Sequence, residues 1–443
     1  MLRRTMARVC FLAVVVLSGA RVADAQISNS SKSKLPSEAL LGQMGLTRSW
    51  WGQAISNNAR DTLLHLTCDE ENVYLQTSSG VVTSFDAETG KRNWATQIGL
   101  SDRPSFPVAI NDEFVLSVNG MTLNAVDKKT GDIAWTLTLP GQPASSPAVD
   151  QDYLFLGFLD GSLFAFDMRE IRRLYTKKLL PEWGYLSVLW RYKSRKQVST
   201  SAVITNRLVA FASEDGTLYS VTKRDRDLLF QFETDAPLSA PPVVFRDSLL
   251  LASQDAKVYS IGLNNGRYNW QFSTGNAIIS APIILGNEAY ITPENGGLLK
   301  LRADIGRPLW SSPVPGVHRV VSIGPTRVYG VDRRDNLMVI DRESGAIERV
   351  MRIAPFARHV VNTRSDRIYL ATNSGLVTCL HEIGRDFPTF HLRPDRQPLL
   401  PEIAPEEGEG MPTPEGEMPA EPAAATGEAP ATEAEPTTNE NGN

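Results

Sequence analysis

SSGVVTSFDAETGKRNW, Ser78 to Trp94, reads as two strands joined by a tight turn. A small residue and Gly open an alternating apolar run, Asp ends it, Thr-Gly turns the chain and Trp enters the next strand. The pattern returns as NGMTLNAVDKKTGDIAW, Asn119 to Trp135, then as DAKVYSIGLNNGRYNW ending at Trp270 and GGLLKLRADIGRPLW ending at Trp310. Weaker copies are EDGTLYSVTKRDRDLLF, ending at Phe230, and DNLMVIDRESGAIERV around Asp341. The opening turn falls at Gly80, Gly120, Gly161, Gly216, Ala256, Gly297, Asn336 and Gly375, in steps of 40, 41, 55, 40, 41, 39 and 39 residues. Each of these eight repeats has room for four short antiparallel strands, and one carries an insertion. Such units close into a ring with few free sheet edges. The predicted fold class is therefore all-β: an eight-bladed β-propeller of four-stranded antiparallel blades over residues 49–392. Strands are lettered A to D from the channel outward. A Trp in strand D buries its ring against the next blade, and its indole N–H needs a backbone carbonyl.

Residues 26–48 form an N-terminal extension in which Pro36 to Met44 reads as a short helix with Gly45 as its C-cap. Ser49 to Ile55, with Trp50 and Trp51, resembles a strand D that lacks its own A, B and C. It is expected to complete blade 8, whose own repeat has Pro388 where the Trp belongs. The rival for that place is Phe387 to Leu392.

The Asp-x-x-Thr-Gly-x-x-x-Trp cores, Asp86 to Trp94 and Asp127 to Trp135, resemble the PQQ-repeat (quinoprotein-type) propeller family. The resemblance covers about residues 45–392. With eight blades and the look of a secreted, cofactor-free protein, the chain is most similar to the BamB-like propellers of bacterial outer-membrane protein assembly. That implies a protein-binding scaffold with envelope assembly components as partners. Quinone-dependent dehydrogenases of the wider family carry calcium, an adjacent Cys pair and catalytic Asp and Glu residues. This chain has three Cys, at 10, 68 and 379, and no adjacent pair. Neither PQQ nor Ca²⁺ is expected, and no catalytic residue or metal ligand is assigned. A quinoprotein-like enzyme and a small-ligand sensor remain the alternatives.

The two ends are not read as propeller. Arg3, Arg4 and Arg8 precede the apolar run Val9 to Ala20, and Ala23-Asp24-Ala25 forms an A-x-A site, so residues 1–25 read as a secretory signal peptide. Cys10 lies inside the apolar run rather than after the cleavage point, so no lipid anchor is expected. A soluble periplasmic or envelope protein with no membrane span after cleavage follows, expected to be a monomer. Residues 393–443 read as a disordered Pro/Glu/Ala-rich acidic tail. Within it, 401–443 holds eleven Glu and no Lys or Arg. The chain's net charge of -5 thus hides a near-neutral body, which excludes a nucleic-acid binder by bulk charge. A secreted chain favours pairing cysteines, but strand geometry favours two buried thiols at Cys68 and Cys379 over a bridge.

Two places break the repeat, and loops that do so are where function concentrates. In repeat 3 the Thr-Gly turn is replaced by MREIRRLYTKKLLPEWGYLSVLW, Met168 to Trp190. Ile171, Leu174, Tyr175 and Leu179 are expected to form one apolar helical stripe. Arg172, Arg173, Lys177, Lys178, Trp183 and Tyr185 are the candidate partner-binding residues; the alternative is a purely structural helix. The second break lies at the start of strand A, which reads Leu64, Ser105, Ser145, Thr200, Ser239, Ser280, Arg319 and His359 around the ring. Five are small hydroxyls, but blades 7 and 8 place His318, Arg319, Arg358 and His359 together, a candidate channel-mouth anion site. Channel filling is the alternative there. The insertion is expected on the face opposite this mouth.

Overall fold

The alternating runs form eight antiparallel sheets, seven of four strands and one of three, in a computed structural model that describes residues 35–57 and 60–392. The signal peptide expected at 1–25 and the tail expected at 393–443 lie outside the described residues. Blade 1 shows the pattern: strands Leu63–Cys68, Asn72–Thr77, Val81–Asp86 and Arg92–Gln97 pair in sequence order. Eight apolar clusters hold the described residues together, each between two neighbouring blades. The core is therefore a ring of interfaces.

The Asp-Thr-Gly-Trp unit explains how the blades lock. Asp86 Oδ1 accepts from the backbone N–H groups of Glu88 and Thr89 and from the Thr89 hydroxyl, which folds the turn. Gly131, at φ 81°, lies under Trp94 of the preceding blade, where a Cβ would sit 2.5 Å from the indole side chain. The same stacking recurs between Trp50 and Gly90, Trp270 and Gly306, and Trp310 and Gly345. The indoles of Trp50, Trp94, Trp190 and Trp310 donate to the carbonyls of Ala87, Lys128, Lys223 and Arg342. Opposite the Trp, strand C presents a small residue: Ser84, Ala125, Ala165, Ser260 or Cys379.

Blade 8 is closed by the N-terminal segment. Its strands are Arg358–His359, Ile368–Ala371, Leu376–Glu382 and Leu46–Gln53, the last pairing Leu46 with Glu382 through Gln53 with Leu376. The strand thus starts and ends a few residues earlier than 49–55. The rival segment instead folds back so that Phe390 bridges Ser365. The helix before the strand is Glu38–Gln43, capped by the Ser37 hydroxyl, and packs Leu41 and Met44 between blades 7 and 8.

Two local expectations change. The left-handed turn residue of blade 7 is Asp335 rather than Asn336, which is the first residue of its strand C. Blade 6 lacks a regular strand D because Pro308, Pro313 and Pro315 cannot donate to the ladder, leaving isolated bridges from Leu301 to Pro308 and from Leu298 to Val314. Cys68 and Cys379 are free and pack in the same cluster, and burial pushes both thiols up to about 12. No helix among the described residues is long and apolar enough to cross a membrane.

Candidate functional site

In blade 3, strands C and D are Ser162–Asp167 and Val188–Lys193, and the insertion runs between them. Asp167 occupies the place of Asp86, but its carboxylate accepts from the N–H groups of Arg169 and Glu170 and caps a helix, Met168–Thr176. Met168, Ile171 and Leu174 are fully buried on that helix, packed against blades 2 and 3. Tyr175, expected in the stripe four residues past Ile171, is exposed in the last turn of the helix. Leu179 is half-buried. The Trp135 indole N–H, like that of Trp270, has no hydrogen-bond partner among the described residues.

The outer face of the insertion is apolar and aromatic. Trp183 is 45% exposed and Tyr185 63%, with ring centroids 6.1 Å apart, and Tyr175, Leu186 and Leu189 are also exposed. The loop is held from beneath, since a Cβ on Gly184 would lie 2.4 Å from Leu137 Cδ1 of blade 2. Four basic residues were assigned here, and two of them are engaged. Arg172 pairs with Glu113 at 2.8 Å, and Arg173 pairs with Glu170 three residues back. Arg169 pairs with Asp152 at 2.8 Å. Lys177 and Lys178 are exposed and make no ion pair among the described residues. Glu113 and Asp152 belong to A–B turns, so the insertion lies on the face of those turns.

The opposite face carries the channel mouth. A cavity of about 720 Å³ is lined by His318 and Arg319 of blade 7 and by Arg358 and His359 of blade 8, so the four assigned residues come together. His65 of blade 1 and Asp332, Arg333 and Asp335 in the B–C turn of blade 7 also line it. The strand-A alignment missed these four: His65 lies one residue past the aligned position, and the turn belongs to another part of the repeat. His65 and His359 donate through Nε2 to the carbonyls of Ser105 and Phe356, at 3.1 and 2.9 Å. Arg358 donates to Asn373 Oδ1 at 3.0 Å. The side chains of Arg319 and Arg333 make no hydrogen bond or ion pair among the described residues. Asp332 accepts from the N–H groups of Arg334 and Asn336 and from the Asn336 side chain, so it is committed to the turn. Hydroxyls elsewhere in the alignment serve their own blades: Ser145 accepts from Gly157 N–H, and Ser280 donates to the Thr292 carbonyl.

All five histidines of the chain, His65, His318, His359, His381 and His391, are held below 6.5, with burial the largest cause for each. At the mouth the guanidinium groups add to this: Arg358 at His65, Arg333 and Arg319 at His318, and Arg319 and Arg358 at His359. Unfolded histidines take up protons near 6.5 and the folded ones only at lower pH. Between those values the unfolded chain binds more protons, so stability falls as pH drops through 6.5. The melting temperature is expected to be lower at pH 5.5 than at pH 7.5. An equal or higher value at pH 5.5 would contradict this.

The sequence model of a family described as outer membrane protein assembly factor BamB matches residues 78–182 and 187–350. Among solved structures, the crystal structure of BamB from Moraxella catarrhalis superposes with a TM-score of 0.61 at 16% identity, covering 76% of this chain and 98% of that one. The computationally designed Ika8 protein gives a TM-score of 0.60 at 13% identity, covering 74% and 98%. At such identities these two show the fold alone. No curated protein matches the chain in sequence.

Proposed function

The chain belongs to the family described as outer membrane protein assembly factor BamB, and from that membership we propose that it is a non-catalytic, protein-binding propeller of the bacterial envelope. In this reading it is secreted to the periplasm and engages an assembly partner through the blade 3 insertion. The observation that carries the reading is the exposed pair Trp183 and Tyr185 on a loop whose underside is fixed. A rigid aromatic pair loses little conformational entropy on binding, and such side chains dominate interface energies. The stretch between the two family matches, 183–186, coincides with this pair.

The donor set bears on the quinone alternative alone. A calcium-bound quinone needs converging carboxylates, and among the described residues no three His, Cys, Asp or Glu side chains are placed to hold a metal ion. Cys68 and Cys379 are separate, and Asp332 is committed to its turn. The residues present do not fit that group.

A photo-crosslinking side chain at position 186 tests the reading in the bacterial envelope. A discrete adduct is expected, reduced about tenfold or more by Trp183→Ala with Tyr185→Ala at unchanged melting temperature. An adduct of undiminished yield, or one equally strong from a probe at Lys129 in the ordinary turn of blade 2, would overturn it. Charge reversal at Arg172 and Arg173 is a poorer test, because it sets new carboxylates against Glu113 and Glu170.

A further inference from the structure

The mouth gathers three guanidinium groups against two carboxylates. Arg319 opens strand A of blade 7, Arg333 stands in the B–C turn of the same blade, and Arg358 opens strand A of blade 8. Two of them have no partner among the described residues and the third has only a neutral amide. Two carboxylates share the cavity, Asp332 and Asp335, and the first is committed to its turn. A concave site with an excess of one sign focuses potential and attracts the opposite charge. Guanidinium groups bind carboxylate and phosphate oxygens through paired N–H donors. The cavity, about 720 Å³, falls in the range of small-molecule sites and is much larger than one phosphate needs.

We propose that the channel mouth binds a small ligand carrying two or more carboxylate or phosphate groups, with Arg319, Arg333 and Arg358 as its charge partners. This site is independent of the insertion, which lies on the other face.

Binding of such a ligand couples to protons. His359 faces Asp335, Arg319 and Arg358; His65 faces Arg358; His318 faces Arg333, Arg319 and Glu294. An anion among the guanidiniums offsets the repulsion that they add to burial in keeping these rings neutral. With Nε2 of His65 and His359 donating to backbone carbonyls, a proton taken up on Nδ1 adds a donor. Ligand binding therefore takes up protons and tightens as pH falls from 7.5 to 6.

Calorimetric titration of the full chain with citrate, and separately with inorganic phosphate, tests this. The wild type is expected to bind citrate saturably and more tightly than phosphate, with proton uptake measured across buffers of different ionisation enthalpy. Arg319→Gln with Arg358→Gln is expected to weaken citrate binding about tenfold or more and to reduce the proton uptake. Arg333→Gln, in an exposed turn, is expected to weaken it several-fold and decides the matter should the double variant fail to fold. Lys129→Gln, in the C–D turn of blade 2 on the opposite face, is expected to change nothing. Absence of saturable binding of either anion would overturn the proposal. So would an affinity unchanged in Arg333→Gln and in any folded double variant, or one lowered equally by Lys129→Gln.

Discussion

A chain that begins at residue 57 is expected to aggregate rather than fold. It lacks Leu46–Gln53, and with that strand the whole outer edge of blade 8. Leu376–Glu382 is then left with a row of unpaired N–H and C=O groups, and its buried face becomes an exposed strand edge. Trp50 is lost too. It is 6% exposed, stacks on the Gly90 turn, donates to the Ala87 carbonyl at 2.8 Å and packs beside Phe85 and Tyr369. Removing one such buried ring costs about 3–5 kcal/mol, and the missing ladder and the opened interface between blades 8 and 1 add to it. Together these reach the whole stability of an ordinary domain, roughly 5–15 kcal/mol. The measurement is the soluble yield and melting temperature of the shortened chain, with full-length Trp50→Ala as the graded control. A soluble monomer with an unchanged melting temperature would show that the ring does not depend on this strand.

Arg367→Ala is expected to cost about 3–5 kcal/mol, the usual penalty for breaking a buried ion pair from one side. Arg367 is 1% exposed, just before strand B of blade 8. Its guanidinium donates to the carbonyls of Arg385 and Asp386 and reaches Glu88 of blade 1 at 3.2 Å. It therefore ties the closing blade to the Asp-Thr-Gly turn beneath Trp50. Burial raises the Glu88 carboxyl above its usual range, opposed by the Arg367 charge, so removing the arginine leaves a poorly solvated acid and two unpaired carbonyls. Glu88→Gln is expected to cost clearly less, because the arginine keeps its carbonyl acceptors and Glu88 is partly exposed. Denaturant titration of both variants checks the order. An Arg367→Ala protein within 1 kcal/mol of wild type, in the range of an exposed ion pair, would show that the pair does not hold the closure.

The repeat was legible because each device is local. The Asp that folds its turn, the left-handed Gly and the Trp after it lie within nine residues, and the chain repeats them at nearly constant spacing. Strand number, order and the ring follow from that pattern. The closing strand was legible for the same reason, as a strand D without a blade, although its ends shift because the pairing partner decides where a strand stops. The sites were legible only in part. Aligning strand A found His318, Arg319, Arg358 and His359, which share one position in neighbouring repeats. It could not find His65, Asp332, Arg333 and Asp335, which reach the same cavity from other parts of the repeat.

The sequence by itself determined the fold, its eight-fold count and the two places where the repeat is interrupted, since all three rest on spacing along the chain. Only the tertiary structure decided which charges are free. Arg172 and Arg173 read as equivalent to Lys177 and Lys178 until Glu113, brought up by the A–B turn of blade 2, and Glu170 on the same helix are seen to pair with them. Nothing in the repeat singles out Arg367, which the closing ring buries. Burial and charge pairing depend on neighbours far away in sequence, and a repeat that specifies its own turns carries no record of what the next blade presents to them.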